Sequence, residues 1–206
     1  NAPHAIVLYR KILLSQPDKS ITIVVVGPQR LLADLLLSPS DSISKLNGMQ
    51  LVKKKVKKLV SMGAEYPSGN EWNIRICPDG AKLVAEQWPT PIVYSGFEIG
   101  KPIMTGERLI TETEKTNPVR VAFETNPMVD EKKNRHSWDE TAVLYGVRGL
   151  KDYWTLSSGV LKISEDGKNS WIIPGKTHQY LIAKMPTLEI KKVIEDMMVA
   201  PPLSDK

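Results

Sequence analysis

The chain has 206 residues, 41% of them hydrophobic and 25% charged, which excludes wholesale disorder. Its 28 basic and 23 acidic side chains leave a formal charge of +5, a mild excess, and its longest apolar runs are too short to cross a bilayer. The single cysteine, Cys77, excludes an internal disulfide framework and a cysteine-based zinc site.

Pro3 suits a first helical turn, and Ile6, Val7, Arg10, Leu13 and Leu14 follow at helical spacing. Residues 21–26 are mostly β-branched and apolar, the mark of a parallel strand buried on both faces. Gly27-Pro28 ends that strand, and a helix follows over about 29–37. A short helical link at 51–55 leads to a second buried strand, 56–62, ending at Gly63. Pro78 opens a helix over 78–86, and residues 91–95 form a third strand stopped by Gly96. Asn117 caps a helix whose first position is Pro118. The polar stretch 125–136 reads as a mobile loop.

Ser137-Trp138-Asp139-Glu140 matches the S-x-x-E capping box, and the helix it opens, to about Val147, is expected to bury Ala142, Val143, Tyr145 and Gly146 or close neighbours. Short strands are expected at 153–156, 160–164, 170–173 and 180–183, with Asp166-Gly167 as a hairpin turn. An amphipathic helix over 186–198 follows, and Pro201-Pro202 ends the ordered chain. Helices alternating with buried strands predict one α/β domain over 1–206: an open, mostly parallel sheet flanked by helices, with short antiparallel strands near the C-terminus. Such domains usually open on a strand. This one opens on a helix, so it reads as the later portion of something longer. The sheet edge so exposed favours self-association into a homo-oligomer.

The lysines at 53, 54, 55, 57 and 58 read as a solvated face rather than a phosphate-binding patch, since no arginine-aromatic interleaving accompanies them. Neither nucleic acid nor a membrane is the expected partner. No basic-then-apolar leader precedes Asn1 and a lone cysteine suits a reducing compartment, so the expected location is cytoplasmic, with a secreted or periplasmic one as the alternative that a cysteine-poor chain also fits. His4, His136 and His178 lie far apart, lack metal spacing and read as surface or loop residues. Neither a phosphate-binding glycine loop nor a G-x-S-x-G elbow is present.

In open α/β sheets, sites form beyond the carboxyl ends of the strands. Those ends are Val26-Gly27-Pro28, Met62-Gly63-Ala64 and Ser95-Gly96-Phe97-Glu98. After the second come Asn70, Glu71, Trp72 and Asn73: two amides and a carboxylate beside an aromatic ring, able to bond vicinal sugar hydroxyls or simply to shape a turn. Asp139 is either helix-start chemistry or an oxygen ligand for a hard cation.

Taken together, Val24-Val25-Val26-Gly27-Pro28, Ser61-Met62-Gly63-Ala64, Gly69-Asn70-Glu71-Trp72-Asn73 and Trp138-Asp139-Glu140-Thr141-Ala142-Val143 resemble, in order and spacing, the inosine-uridine-preferring nucleoside hydrolases. The resemblance implies cleavage of the N-glycosidic bond of ribonucleosides to base and ribose, at a Ca²⁺ that holds the ribose hydroxyls and the attacking water. It assigns the Val26 carbonyl and Asp139 to the metal, and Met62, Asn70, Glu71 and Asn73 to the substrate. The family's D-x-D-x-G-x-D-D motif, source of the general base, has no counterpart here and would stand ahead of residue 1. Trp138 replaces the family's His, Arg30 and Leu31 its Thr-Asn pair, and Ala64 a Gly. As written, the chain is expected to be a weak or inactive catalyst. The alternative is a non-catalytic relative that binds a nucleoside or sugar.

Overall fold

The computed structural model describes residues 3–175 and 177–201, so Pro202, expected to end the ordered chain, lies outside the described residues. The first half runs α1 (Ala5–Ser15), β1 (Ile21–Val25), α2 (Arg30–Leu37), α3 (Gly48–Lys55), β2 (Val56–Met62), β3 (Ser68–Gly69), α4 (Trp72–Arg75), α5 (Pro78–Gln87) and β4 (Ile92–Ser95). The second half runs α6 (Phe97–Gly100), β5 (Met104–Thr105), α7 (Glu107–Glu112), α8 (Pro118–Thr125), β6 (Arg135–His136), α9 (Trp138–Arg148), β7 (Trp154–Ile163), β8 (Asn169–Ile172), β9 (His178–Ala183) and α10 (Thr187–Met198).

The described residues build a seven-stranded sheet in the order β1-β2-β4-β9-β7-β8-β3. The strands β1, β2, β4 and β9 are parallel, while β7, β8 and β3 join antiparallel. A separate two-stranded ribbon pairs β5 with β6. The expected fold class is therefore present.

The apolar runs are continuous because both faces of the sheet are covered. On one face Ile23, Leu59 and Ile92 meet Leu13 of α1, Leu32 and Leu35 of α2, Leu51 of α3 and Val84 of α5. On the other, Val60 and Val93 meet Ile99 of α6, Ala142 and Leu144 of α9, and Ile190 and Ile194 of α10. Arg10, placed by its spacing on the buried side of α1, is 1% exposed. Its guanidinium grips both oxygens of Asp41 at 2.8 and 3.0 Å and also donates to Ser38 Oγ and the carbonyl of Leu46. A buried cation is tolerated only when paired in this way.

Several expectations need correction. The capping box does not form: Ser137 Oγ lies 2.7 Å from Thr105 Oγ1, and its N–H donates to Ile103 O, so neither half of the box has a free partner. Val143 faces outward at 45% exposure. The strands expected at 153–156 and 160–164 are one ten-residue strand, β7, continuous through Gly159, which lies under the Trp171 ring. The stretch 125–136, expected as a loop, ends in the strand β6; before it, Asn134 N donates to Asp130 Oδ1 and Asn134 Oδ1 accepts from Glu107 N. His178 is buried. Its Nδ1 accepts from Leu161 N and its Nε2 faces the Ala85 carbonyl at 2.8 Å, and burial lowers its pKa. Of the lysine cluster, Lys53, Lys54 and Lys57 are exposed, Lys55 pairs with Asp18, and Lys58 lies over the Tyr145 ring. No described helix is long and apolar enough to cross a membrane.

Candidate functional site

The carboxyl ends of β1, β2 and β4 open on one edge of the sheet, and α9 starts there. Ser95 Oγ at the end of β4 lies 2.8 Å from Thr141 Oγ1, fixing the first turn of α9 over the edge. Trp138 Nε1 donates to Phe97 O at 3.0 Å. Gly100 permits this approach, since a Cβ on it would stand 2.4 Å from the Trp138 Cα. The Phe97 and Trp138 rings stack at 5.2 Å, and the His136 ring follows at 4.6 Å from Trp138. Sequence reasoning named Phe97, His136 and Trp138 separately and missed that their rings form one row.

The loop after β2 is organised around Glu71, which is 5% exposed. Glu71 caps α4. Its Oε1 accepts from Asn73 N at 2.9 Å, and its Oε2 accepts from Ile74 N and Ala64 N, each at 3.2 Å. Burial pushes this carboxyl above its ordinary value, against the opposing pull of the three amides and with a smaller push from the Asp139 charge. Asn73 Nδ2 donates to Met62 O at 3.3 Å and reaches Met62 Sδ at 3.1 Å. Met62, Glu71 and Asn73 therefore form one cluster, while Asn70 is exposed beside it.

The same loop is held from the antiparallel side. Asn169 Oδ1 accepts from Glu65 N, and Asn169 Nδ2 donates to Glu65 O at 2.7 Å, across 104 residues of sequence. Trp171 N adds a bond to Pro67 O. Nothing local to Asn169 signals this role.

Two further polar side chains line the strand ends. Gln29, 1% exposed, donates to Ser61 Oγ at 2.8 Å and so ties the end of β1 to β2; its Oε1 has no partner among the described residues. Glu98 Oε2 accepts from Tyr66 N at 3.1 Å, and burial raises its carboxyl.

Asp139 differs from Glu71. It sits in the first turn of α9 with solvent on one side, and its carboxylate has no hydrogen-bond partner among the described residues. Enclosure by the surrounding protein still raises its pKa, with Arg135 opposing. Val26 is exposed just beyond β1, and open space lies over Gly27. From Asp139 and Glu140 an apolar groove of about 350 Å³ runs between α9 and α10, away from the Glu71 cluster.

Among the described residues no three His, Cys, Asp or Glu side chains converge on a point that could hold a metal ion. Asp139 offers one carboxylate and Val26 one carbonyl, short of the six to eight oxygens Ca²⁺ takes. These residues alone do not fit calcium.

No protein-family model matches the sequence, and no curated protein matches it significantly. Solved structures do. The fold is similar to that of an inosine-uridine preferring nucleoside hydrolase from Bacillus anthracis, with a TM-score of 0.67 and 16% identity over 95% of this chain and 66% of that one. A plant nucleoside hydrolase gives 0.65 and 15%, covering 96% and 67%. An inosine-guanosine nucleoside hydrolase gives 0.69 and 16%, covering 96% and 68%. The chain thus has a nucleoside-hydrolase-like fold and spans about two thirds of the length of these enzymes.

Proposed function

We propose that the protein acts on ribonucleosides at the carboxyl edge of its sheet, and that the whole protein cleaves the N-glycosidic bond to release base and ribose. The observation that carries this reading is the convergence of Met62, Glu71 and Asn73 with the unpartnered carboxylate of Asp139 around the strand ends of a nucleoside-hydrolase-like sheet. Asn73 commits its amide nitrogen to Met62, which leaves its carbonyl oxygen to accept from a sugar hydroxyl. Exposed Asn70 offers a donor and an acceptor. Glu71 serves the sugar by holding the backbone of Ala64, Asn73 and Ile74 in place. The hydrolase reading carries calcium with it, and Val26 and Asp139 fall short of it alone. Hydrolysis by the described residues alone is therefore expected to be weak or absent.

The same shortage of carboxylates supports a second reading, a binding protein that holds a nucleoside or sugar without cleaving it. One experiment separates the two: release of reducing ribose from inosine and uridine, with calcium and with chelator, beside calorimetric titration of inosine. Calcium-dependent release supports the hydrolase. Binding with no release supports the second reading. Neither binding nor release overturns both.

A further inference from the structure

The amino edge of the sheet, opposite the Glu71 cluster, holds a second cavity of about 410 Å³ at the starts of β4 and β9. Trp88 and Ile92 line its apolar part, and Thr90, Thr177 and Gln179 its polar part. Thr90 is 7% exposed, and its Oγ1 accepts from Trp88 Nε1 at 2.8 Å, which leaves its own proton uncommitted. The side chains of Thr177 and Gln179 make no hydrogen bond among the described residues. No lining residue is charged, and Glu86, the nearest carboxylate in sequence, is exposed outside the cavity.

Cations stand beside it. The lysines at 19, 53, 54, 55, 57 and 58 face one carboxylate, Asp18, and their balance equals the formal charge of the whole chain, +5. Lys55 binds Asp18, and that bond first, then the charges of Lys54 and Lys19, hold its carboxyl below the ordinary value. Lys53, Lys54 and Lys57 are exposed and pair with no carboxylate among the described residues. Register brings Lys57 to the cavity. Leu59 lies opposite Ile92 in the parallel pair β2–β4, and Leu59 N donates to Pro91 O at 2.9 Å. Two residues upstream, Lys57 comes opposite Thr90, about 5 Å away across neighbouring strands. Lys57 shares the face of Leu59, on which Trp88 packs, whereas Lys58 turns to the other face and lies over Tyr145.

We propose that this amino-edge cavity binds a small phosphate monoester with a ring-bearing body. Lys57 takes the phosphate, Thr90, Thr177 and Gln179 donate to its oxygens, and the body lies against Trp88 and Ile92. A phosphate monoester carries close to two negative charges and three acceptor oxygens, enough to engage three neutral donors and a lysine. A carboxylate, with two oxygens and one charge, would leave donors idle. Lysine suits phosphate as a compact point charge that needs no fork geometry. The cavity has the volume of a small-molecule site, and its mixed lining serves a ligand with one charged and one apolar end. The proposal stands whether or not the carboxyl edge cleaves ribonucleosides.

The test is calorimetric titration of the protein with adenosine 5′-monophosphate, ribose 5-phosphate and inorganic phosphate. It is repeated on Lys57→Glu, Gln179→Ala and Lys115→Glu, the last an exposed lysine between α7 and α8. At least one ester should bind at least about tenfold more tightly than inorganic phosphate. Lys57→Glu should weaken it at least about tenfold and Gln179→Ala about threefold, while Lys115→Glu leaves it unchanged. The tighter of the two esters identifies the body, a nucleoside or a bare sugar. The proposal is overturned if neither ester binds, or if neither binds more tightly than inorganic phosphate. An affinity that survives either Lys57→Glu or Gln179→Ala, or falls equally with Lys115→Glu, overturns it too.

Discussion

Glu71 and Asp139 are two carboxylates at one edge of one sheet, close enough for the charge of one to shift the other, yet they are built for opposite tasks. Glu71 is enclosed and spends both oxygens on three backbone amides. Asp139 stands at the mouth of the edge with no hydrogen-bond partner among the described residues. A carboxylate already satisfied by the backbone shapes a site, whereas an exposed one without a partner is available to a ligand. Motif similarity alone assigned both to ligands, Asp139 to the metal and Glu71 to the substrate.

The contrast can be broken most sharply at Glu71. Glu71→Ala strands the amides of Ala64, Asn73 and Ile74 and is expected to cost about 3 kcal/mol in urea unfolding. A loss under about 1 kcal/mol would mean that the cap is not structural. Asn169→Ala removes both bonds to Glu65 and should cost about 2 kcal/mol, with faster amide exchange at Glu65 as the local readout. Protection at Glu65 equal to the unmutated protein would show that β8 does not hold the loop.

Asp139→Asn should behave in the opposite way. Stability should change by no more than about 0.5 kcal/mol, while inosine or calcium affinity drops at least tenfold. Calorimetry with unchanged affinities would remove Asp139 from the site. The smallest effect is in pH. The folded carboxyl of Asp139 is raised, so its favourable contribution is whole below the ordinary aspartate value and is lost as pH climbs through the folded one. Asp139→Asn should therefore be relatively more stable than the parent at about pH 7 than at about pH 4. The reverse order in thermal melts would refute the raised carboxyl.

The parallel half of the fold was legible because its signals are local. Residues 56–62 form β2 as read, Pro78 opens α5, and Asn117 caps α8 through Val119 N and Arg120 N. The site was legible only as a set of strand ends. The four-residue helices α4 and α6 are too short to show periodicity, and the role of Glu71 as a cap depends on the geometry of α4. Ser157-Ser158-Gly159 reads as a break, yet β7 runs through it because Trp171, on the neighbouring strand, covers the glycine. His178 reads as a loop residue because nothing beside it announces the carbonyl of Ala85 waiting in the core. For Gly159 and His178 the deciding partner is distant in sequence and adjacent in space.

The link between Asn169 and Glu65 also has a consequence in time. The amide side chain of Asn169 acts as a stand-in strand partner for a loop that the ribosome releases 104 residues earlier. Until residue 169 clears the exit tunnel, the backbone at Glu65 lacks two of its hydrogen bonds. At about 5–20 residues per second, that wait lasts several seconds or more. The parallel strands β1, β2 and β4 can pair during that interval, but the carboxyl-edge loop cannot yet lock. Synthesis therefore delivers a scaffold first and a locked carboxyl-edge loop only after residue 169 has emerged.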